Sequence, residues 1–168
     1  MKKVGETRPV MKKDIYFDRN FGPGWPPPEV LERYFSAPPQ GRGWFHNSGN
    51  DSGGLDLLGV DGTEHLPEGN GRINIRLSMW GNPKLGILLI YTKRGGGHRE
   101  EYTSKGDLSR LNEWVRTTHD DPMPVGLYVP FAKAWLAVKE FMATEGQLPK
   151  SIEWAKYSDL PPGTFPDS

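Results

Sequence analysis

Hydrophobic and polar positions alternate most cleanly over residues 72–79. Ile73, Ile75, Leu77 and Met79 face one way, and Arg72, Asn74, Arg76 and Ser78 the other. A period of two predicts a strand buried on one side. Residues 85–92 (LGILLIYT) are apolar at nearly every position, which predicts a central strand covered above and below. Residues 98–103 are more polar and predict a strand nearer an edge, reached through the Gly95-Gly96-Gly97 turn. Upstream, residues 55–60 predict a short first strand closed by Asp61-Gly62. Together these make an antiparallel meander.

Helical spacing appears in three places. Pro28 suits the first position of a short helix to residue 36, with Val30, Leu31, Tyr34 and Phe35 as its buried side. Asp107 suits an N-cap for a helix to about residue 118, with Leu108, Leu111 and Val115 as its stripe. Pro130 opens the strongest helix, carrying Phe131, Trp135, Val138, Phe141 and Met142 on one face and Gly146 at its C-terminal cap. Ile152 and Trp154 alternate in a closing strand. The fold class expected is α+β, an antiparallel sheet of about five strands with two or three helices packed on it.

Composition sets the organisation. At 168 residues the chain fits one domain, in which residues 1–54 form a tail, a short helix and a Gly/Pro-rich loop, and residues 55–168 the α+β unit. The basic first residues, without a following apolar stretch, read as a tail or a late-pairing strand. No apolar run approaches the ~20 residues of a membrane span, and the absence of cysteine suits a reducing cytoplasm. Lys plus Arg and Asp plus Glu both number 21, so no basic excess marks a direct nucleic-acid partner.

Candidate chemistry is sparse. Asn47 to Gly54 (NSGNDSGG) contains the Asp-Ser-Gly-Gly that surrounds a serine-protease nucleophile. Yet only His46 precedes Ser52 as a base, six positions away, and the G-x-S-x-G elbow is broken by Asn50. The stretch is expected to be a loop leading into the first strand. His46, His65, His98 and His119 fall at turns without ligand spacing, so no metal or cofactor is expected. The 93–99 segment (KRGGGHR) lacks the phosphate-loop pattern and joins two strands. The remaining polar features suit contact with a protein: Arg76 and Trp80 on the outward strand face; Arg94, His98, Arg99, Glu100 and Glu101 around the Gly turn; and His119, Asp120 and Asp121 in an acidic turn. No enzyme is expected.

Two stretches carry a resemblance. Residues 126–141 (GLYVPFAKAWLAVKEF) followed by 146–154 (GQLPKSIEW), together with Tyr102, Ser104 and Gly106 in a Tyr-x-Ser-x-Gly element, resemble the Imm-one family of bacterial immunity proteins over roughly residues 70–157. The resemblance implies a cytoplasmic protein that neutralises the toxin encoded beside it by binding, the toxin often being a nucleic-acid-targeting deaminase or nuclease. It leaves monomer and homodimer open. The matched residues are packing residues, so it does not locate the toxin-facing surface.

Overall fold

The computed structural model describes residues 11–17, 19–36 and 51–166. Its centre is a seven-stranded antiparallel sheet with strands β1 (Lys12–Tyr16), β2 (Ser52–Val60), β3 (Ile73–Asn82), β4 (Gly86–Gly95), β5 (His98–Ser104) and β9 (Trp154–Lys156) in that spatial order, and β8 (Tyr128–Val129) added to β4. The α+β class holds, with seven strands where about five were expected. The meander lies where the alternation placed it, with Ile75 paired to Lys93 and Leu77 to Tyr91. Gly96 and Gly97 both take positive φ, 54° and 86°, as a two-residue hairpin turn between β4 and β5 requires. Beyond it, β5 lies inside the sheet, but β9 pairs only with Tyr102, Thr103 and Ser104.

One sheet face carries the main core. Leu55, Leu57, Ile75, Leu77, Met79, Ile87, Leu89 and Tyr91 meet the buried stripe of α2 (Phe131–Ala143), namely Ala134, Ala137, Val138, Phe141 and Met142. Pro130 precedes α2 as expected, but the helix ends one residue earlier than its cap glycine implied. Glu145 takes the left-handed position (φ 53°), and the bonds Gly146 N–H to Phe141 C=O (3.0 Å) and Glu145 N–H to Met142 C=O (3.4 Å) close a Schellman turn. Gly146 is required for another reason: a Cβ there would sit 2.4 Å from Leu57 Cδ1.

The N-terminal segment completes this layer. The expected helix at residues 28–36 is one α-helical turn, α1 (Pro28–Leu31), continued by a 3-10 turn (Glu32–Phe35). Leu31, Tyr34 and Phe35 are buried as expected, whereas Val30 points outward. Phe35 stacks on Trp135 at 4.9 Å, and Trp25 packs on Phe141 at 5.7 Å while its indole N–H donates to Asp14 C=O (2.9 Å).

Two expectations are corrected. Residues 52–54 are not loop; they begin β2 and pair with β3, and Gly54, opposite Ser78, pairs with Tyr16 of β1 as well. The glycines are what the strand needs, because a Cβ on Gly53 or Gly54 would lie 2.6 and 2.4 Å from the rings of Phe17 and Tyr16. Residues 47–50, and His46 with them, lie outside the described residues.

The helix expected at 107–118 is absent. Asp107 does cap, its carboxylate accepting from Ser109 N–H (3.1 Å), but the turn it starts (Leu108–Arg110) ends after one round. The chain then forms a hairpin of β6 (Trp114–Arg116) and β7 (Pro122–Pro124). Val115, Thr117 and Thr118 favour extended backbone, Asp120 takes φ 65° in the turn, and Pro122 and Pro124 bar a returning helix. The stripe Leu108/Leu111/Val115 carried a helical period by coincidence.

This hairpin and the C-terminal residues cover half of the second sheet face. Leu88, Met123, Leu127 and Tyr128 form a second buried cluster, against which Trp80, Ile90, Leu111, Val115, Leu160 and Phe165 pack. Thus β4 is covered on both faces, as its continuous apolar run predicts. Among the described residues, no helix is long and apolar enough to cross a membrane.

Candidate functional site

The other half of the second face is bare. It consists of the outward residues of β3 and their neighbours on β2, β4 and β5: Asp56, Asn74, Arg76, Thr92, Arg94 and Glu101, with Arg72 just ahead of β3. All of these but Glu101 border a cleft of about 460 Å³, which Glu68 also lines. The strand period dictates the arrangement, because every second residue from Arg72 to Trp80 must point to this side.

Its electrostatics are a set of ion pairs, two of them between neighbouring strands. Arg76 grips Asp56 with two bonds, Nε to Oδ1 at 2.6 Å and an Nη to Oδ2 at 3.2 Å, and its guanidinium lies 5.8 Å from the Tyr16 ring. The hydrogen bond to Asp56 raises the Arg76 pKa, outweighing the opposite effect of burial. The other pairs are looser. Arg72 meets Glu68 at 3.1 Å, but that carboxylate is 78% exposed; Arg94 reaches Glu101 only at 3.5 Å.

The residues marked from sequence do not converge on one site. Arg76, Arg94, Arg99 and Glu101 share the bare face, Arg94 standing opposite Arg99 in the β4–β5 register. His98 and Glu100, 3.7 Å apart, belong to the opposite face of the same hairpin. Trp80 lies on the second face but under the second layer, half-buried against the Leu88 cluster. The turn His119-Asp120-Asp121 abuts the far end of the sheet, where Thr118 N–H donates to Asp51 (2.9 Å). The Gly turn instead packs on Arg72 at the near end. Nine residues of β3 separate the two ends, roughly 30 Å at ~3.3 Å per residue. Asp120 is engaged by Arg116 at 3.8 Å. The alternation put Arg72 and Asn74 on the same outward side as Arg76, but neither was marked for contact, and Asp56 reaches them only through the β2–β3 register.

Among the described residues, no three His, Asp or Glu side chains gather as a metal-ligand set. Ser52 stands in β2 opposite Trp80.

The residues of the Tyr-x-Ser-x-Gly element and the Pro-helix-Gly-Pro-Trp unit meet at a seam on β4. There β5 leaves the strand and β8 takes over the same edge, pairing with Ile87 and Leu88. Ser104 fills the gap: its hydroxyl accepts from Leu89 N–H (2.9 Å) and donates to Leu127 C=O (2.6 Å). Gly106 admits the backbone behind it, since a Cβ would lie 2.2 Å from Tyr128 C=O. Tyr102 packs near Tyr91, and the Trp154 indole N–H donates to Pro149 C=O (2.7 Å).

The class these features define is a layered α+β protein, with helix on one sheet face, a hairpin over half of the other, and a paired-charge surface left open. The chain belongs to the family of Immunity protein Imm1, whose model matches residues 59–156, more than half of its length. The match runs from the end of β2 through β9 and so includes the seam, while β1, α1 and most of β2 lie outside it. Comparison with curated proteins and with solved structures gave no match. Membership gives the protein an immunity role, with a toxin protein as its general kind of partner.

Proposed function

We propose that this protein protects its bacterial host by binding one cognate toxin domain stoichiometrically in the cytoplasm, covering the toxin's working surface. Family membership carries the reading. The toxin class that fits is a nucleic-acid-targeting deaminase or nuclease of a polymorphic toxin system, encoded next to the immunity gene.

The bare half of the second sheet face is the contact surface we assign, with Arg76, Arg94, Arg99 and Glu101 on it, while His98 and Glu100 on the opposite face lie outside it. Support comes from its rigidity and its residue types. The strands hold the side chains without loop freedom, and arginine is favoured at contact hot spots. An interface of standard size buries ~800 Å² on each partner. Trp80 serves packing in this reading, and the His119–Asp121 turn lies outside the contact.

Co-expression with the toxin domain from the adjacent gene tests the reading. Growth should be rescued and a one-to-one complex should co-purify. Continued killing without a complex would end the proposal.

A further inference from the structure

Three arginines flank a single residue on the bare face. Asn74 lies at the middle of the cleft, with Arg72 and Arg76 two positions to either side along its strand and Arg94 directly opposite on β4. Same-face neighbours of this kind have Cβ atoms within ~8 Å. Asn74 spends its Oδ1 on Gly59 N–H (3.0 Å), and its amide N–H groups have no acceptor among the described residues. The centre of the cleft is therefore a concentration of donors.

The donors differ in how far they are used. Arg76 is committed to Asp56, a carboxylate with only 11% side-chain exposure. Arg72 is mostly buried, with 23% side-chain exposure, and its Nε is shut off from solvent with no acceptor among the described residues. Its one ion pair uses a different nitrogen and a mostly solvated Glu68. Arg94 is 61% exposed and holds Glu101 only at the limit of contact. An incoming carboxylate would meet the exposed Arg94 fork and the part of the Arg72 side chain that stays exposed, and planar guanidinium forks match the geometry of a carboxylate.

We propose that the cleft around Asn74 is the receptor for one acidic side chain of the toxin, held by Arg72 and Arg94 while the Arg76–Asp56 pair keeps the floor of the cleft rigid. This rests on the toxin-binding reading above and adds the chemistry of the central contact. A protein carboxylate fits better than a nucleic-acid backbone. Asp56, Glu68 and Glu101 stand among the arginines and would repel a run of phosphates, and the chain has no net charge with which to attract one.

The test uses the full chain and the inactivated toxin domain from the adjacent gene, with affinity measured by calorimetry. R72Q/R94Q should weaken binding roughly 30-fold or more, the size associated with truncating one side of a desolvated charge pair. R72K/R94K should lose most of the same affinity, because lysine keeps the charge but not the fork. R94Q alone alters a mostly exposed side chain and should weaken binding about tenfold with unchanged melting, so it decides the matter even if the double variants fold poorly. Tight wild-type binding that R94Q leaves unchanged would overturn the carboxylate receptor while leaving the immunity role standing. Absence of wild-type binding would overturn both. Capture of a single-stranded oligonucleotide through the same arginines, with toxin binding untouched, would also overturn it in favour of a phosphate site.

Discussion

The hydroxyl of Tyr91, in the centre of β4, donates to the carbonyl of Gly146 at 2.7 Å, joining the middle of the sheet to the turn that ends α2. Burial pushes the Tyr91 pKa up to about 12 from 10.0, with Glu100 and Asp61 adding to the rise. The folded state therefore holds this proton more tightly than the unfolded chain. Its contribution is full below pH 10 and falls as pH climbs toward 12. Y91F should remove that part of the alkaline loss, and also cost about 1 kcal/mol at neutral pH through the missing hydrogen bond. Urea denaturation at pH 7 and across pH 9–12 checks both. Burial also raises the Tyr128 pKa, so a residual alkaline transition should persist in the variant.

Ser104 is fully buried and serves two backbone groups at once. S104A should leave Leu89 N–H and Leu127 C=O without partners, each at about 1–3 kcal/mol. Chemical denaturation should show the loss, and amide exchange should quicken at Leu89 before it does in β2. Unchanged stability would show that the seam closes without the hydroxyl.

Glu140, near the end of α2, accepts from Lys150 N–H (2.7 Å) and Ser151 N–H (3.0 Å), fixing the loop that returns to β9. These bonds lower its pKa below 4.5. A depressed carboxylate contributes stability that is present above its unfolded pKa and is lost as pH falls through the folded one. E140Q should melt lower than wild type at neutral pH, and the gap should narrow below pH 4.5. Melting curves between pH 3 and 7 decide it.

W80A should act on folding before it acts on binding. Trp80 packs beneath the second layer, so its truncation should cost about 3 kcal/mol or more in denaturant. R94Q should leave stability within about 0.5 kcal/mol, as expected for an exposed surface position. A W80A protein of normal stability that no longer binds toxin would make Trp80 a contact residue instead.

Much of this fold is legible from period alone. The alternation at Ile73 to Met79 and the unbroken apolar run at 85–92 fix two strands and their depth, and Pro130 with its stripe fixes α2. Residues 107–118 mislead because Leu108, Leu111 and Val115 repeat at helical distance, while β-branched Val115 and Thr117 and the prolines at 122 and 124 favour a hairpin. Gly53 and Gly54 mislead in the other direction. They look like loop residues, but they form strand beneath Tyr16 and Phe17, a pairing distant in sequence. The bare face was visible only as separate charged positions. That Arg72, Asn74 and Arg94 are neighbours depends on the β3–β4 register, which no single strand contains.

The handover at Ser104 has a bearing on how such a protein changes. Its scaffold is locked by a hydroxyl, a glycine and two aromatic rings, none of which touches the arginine cleft. Substitutions in the cleft would leave that lock intact, so under the proposed contact the recognising surface can diversify while the framework stays put.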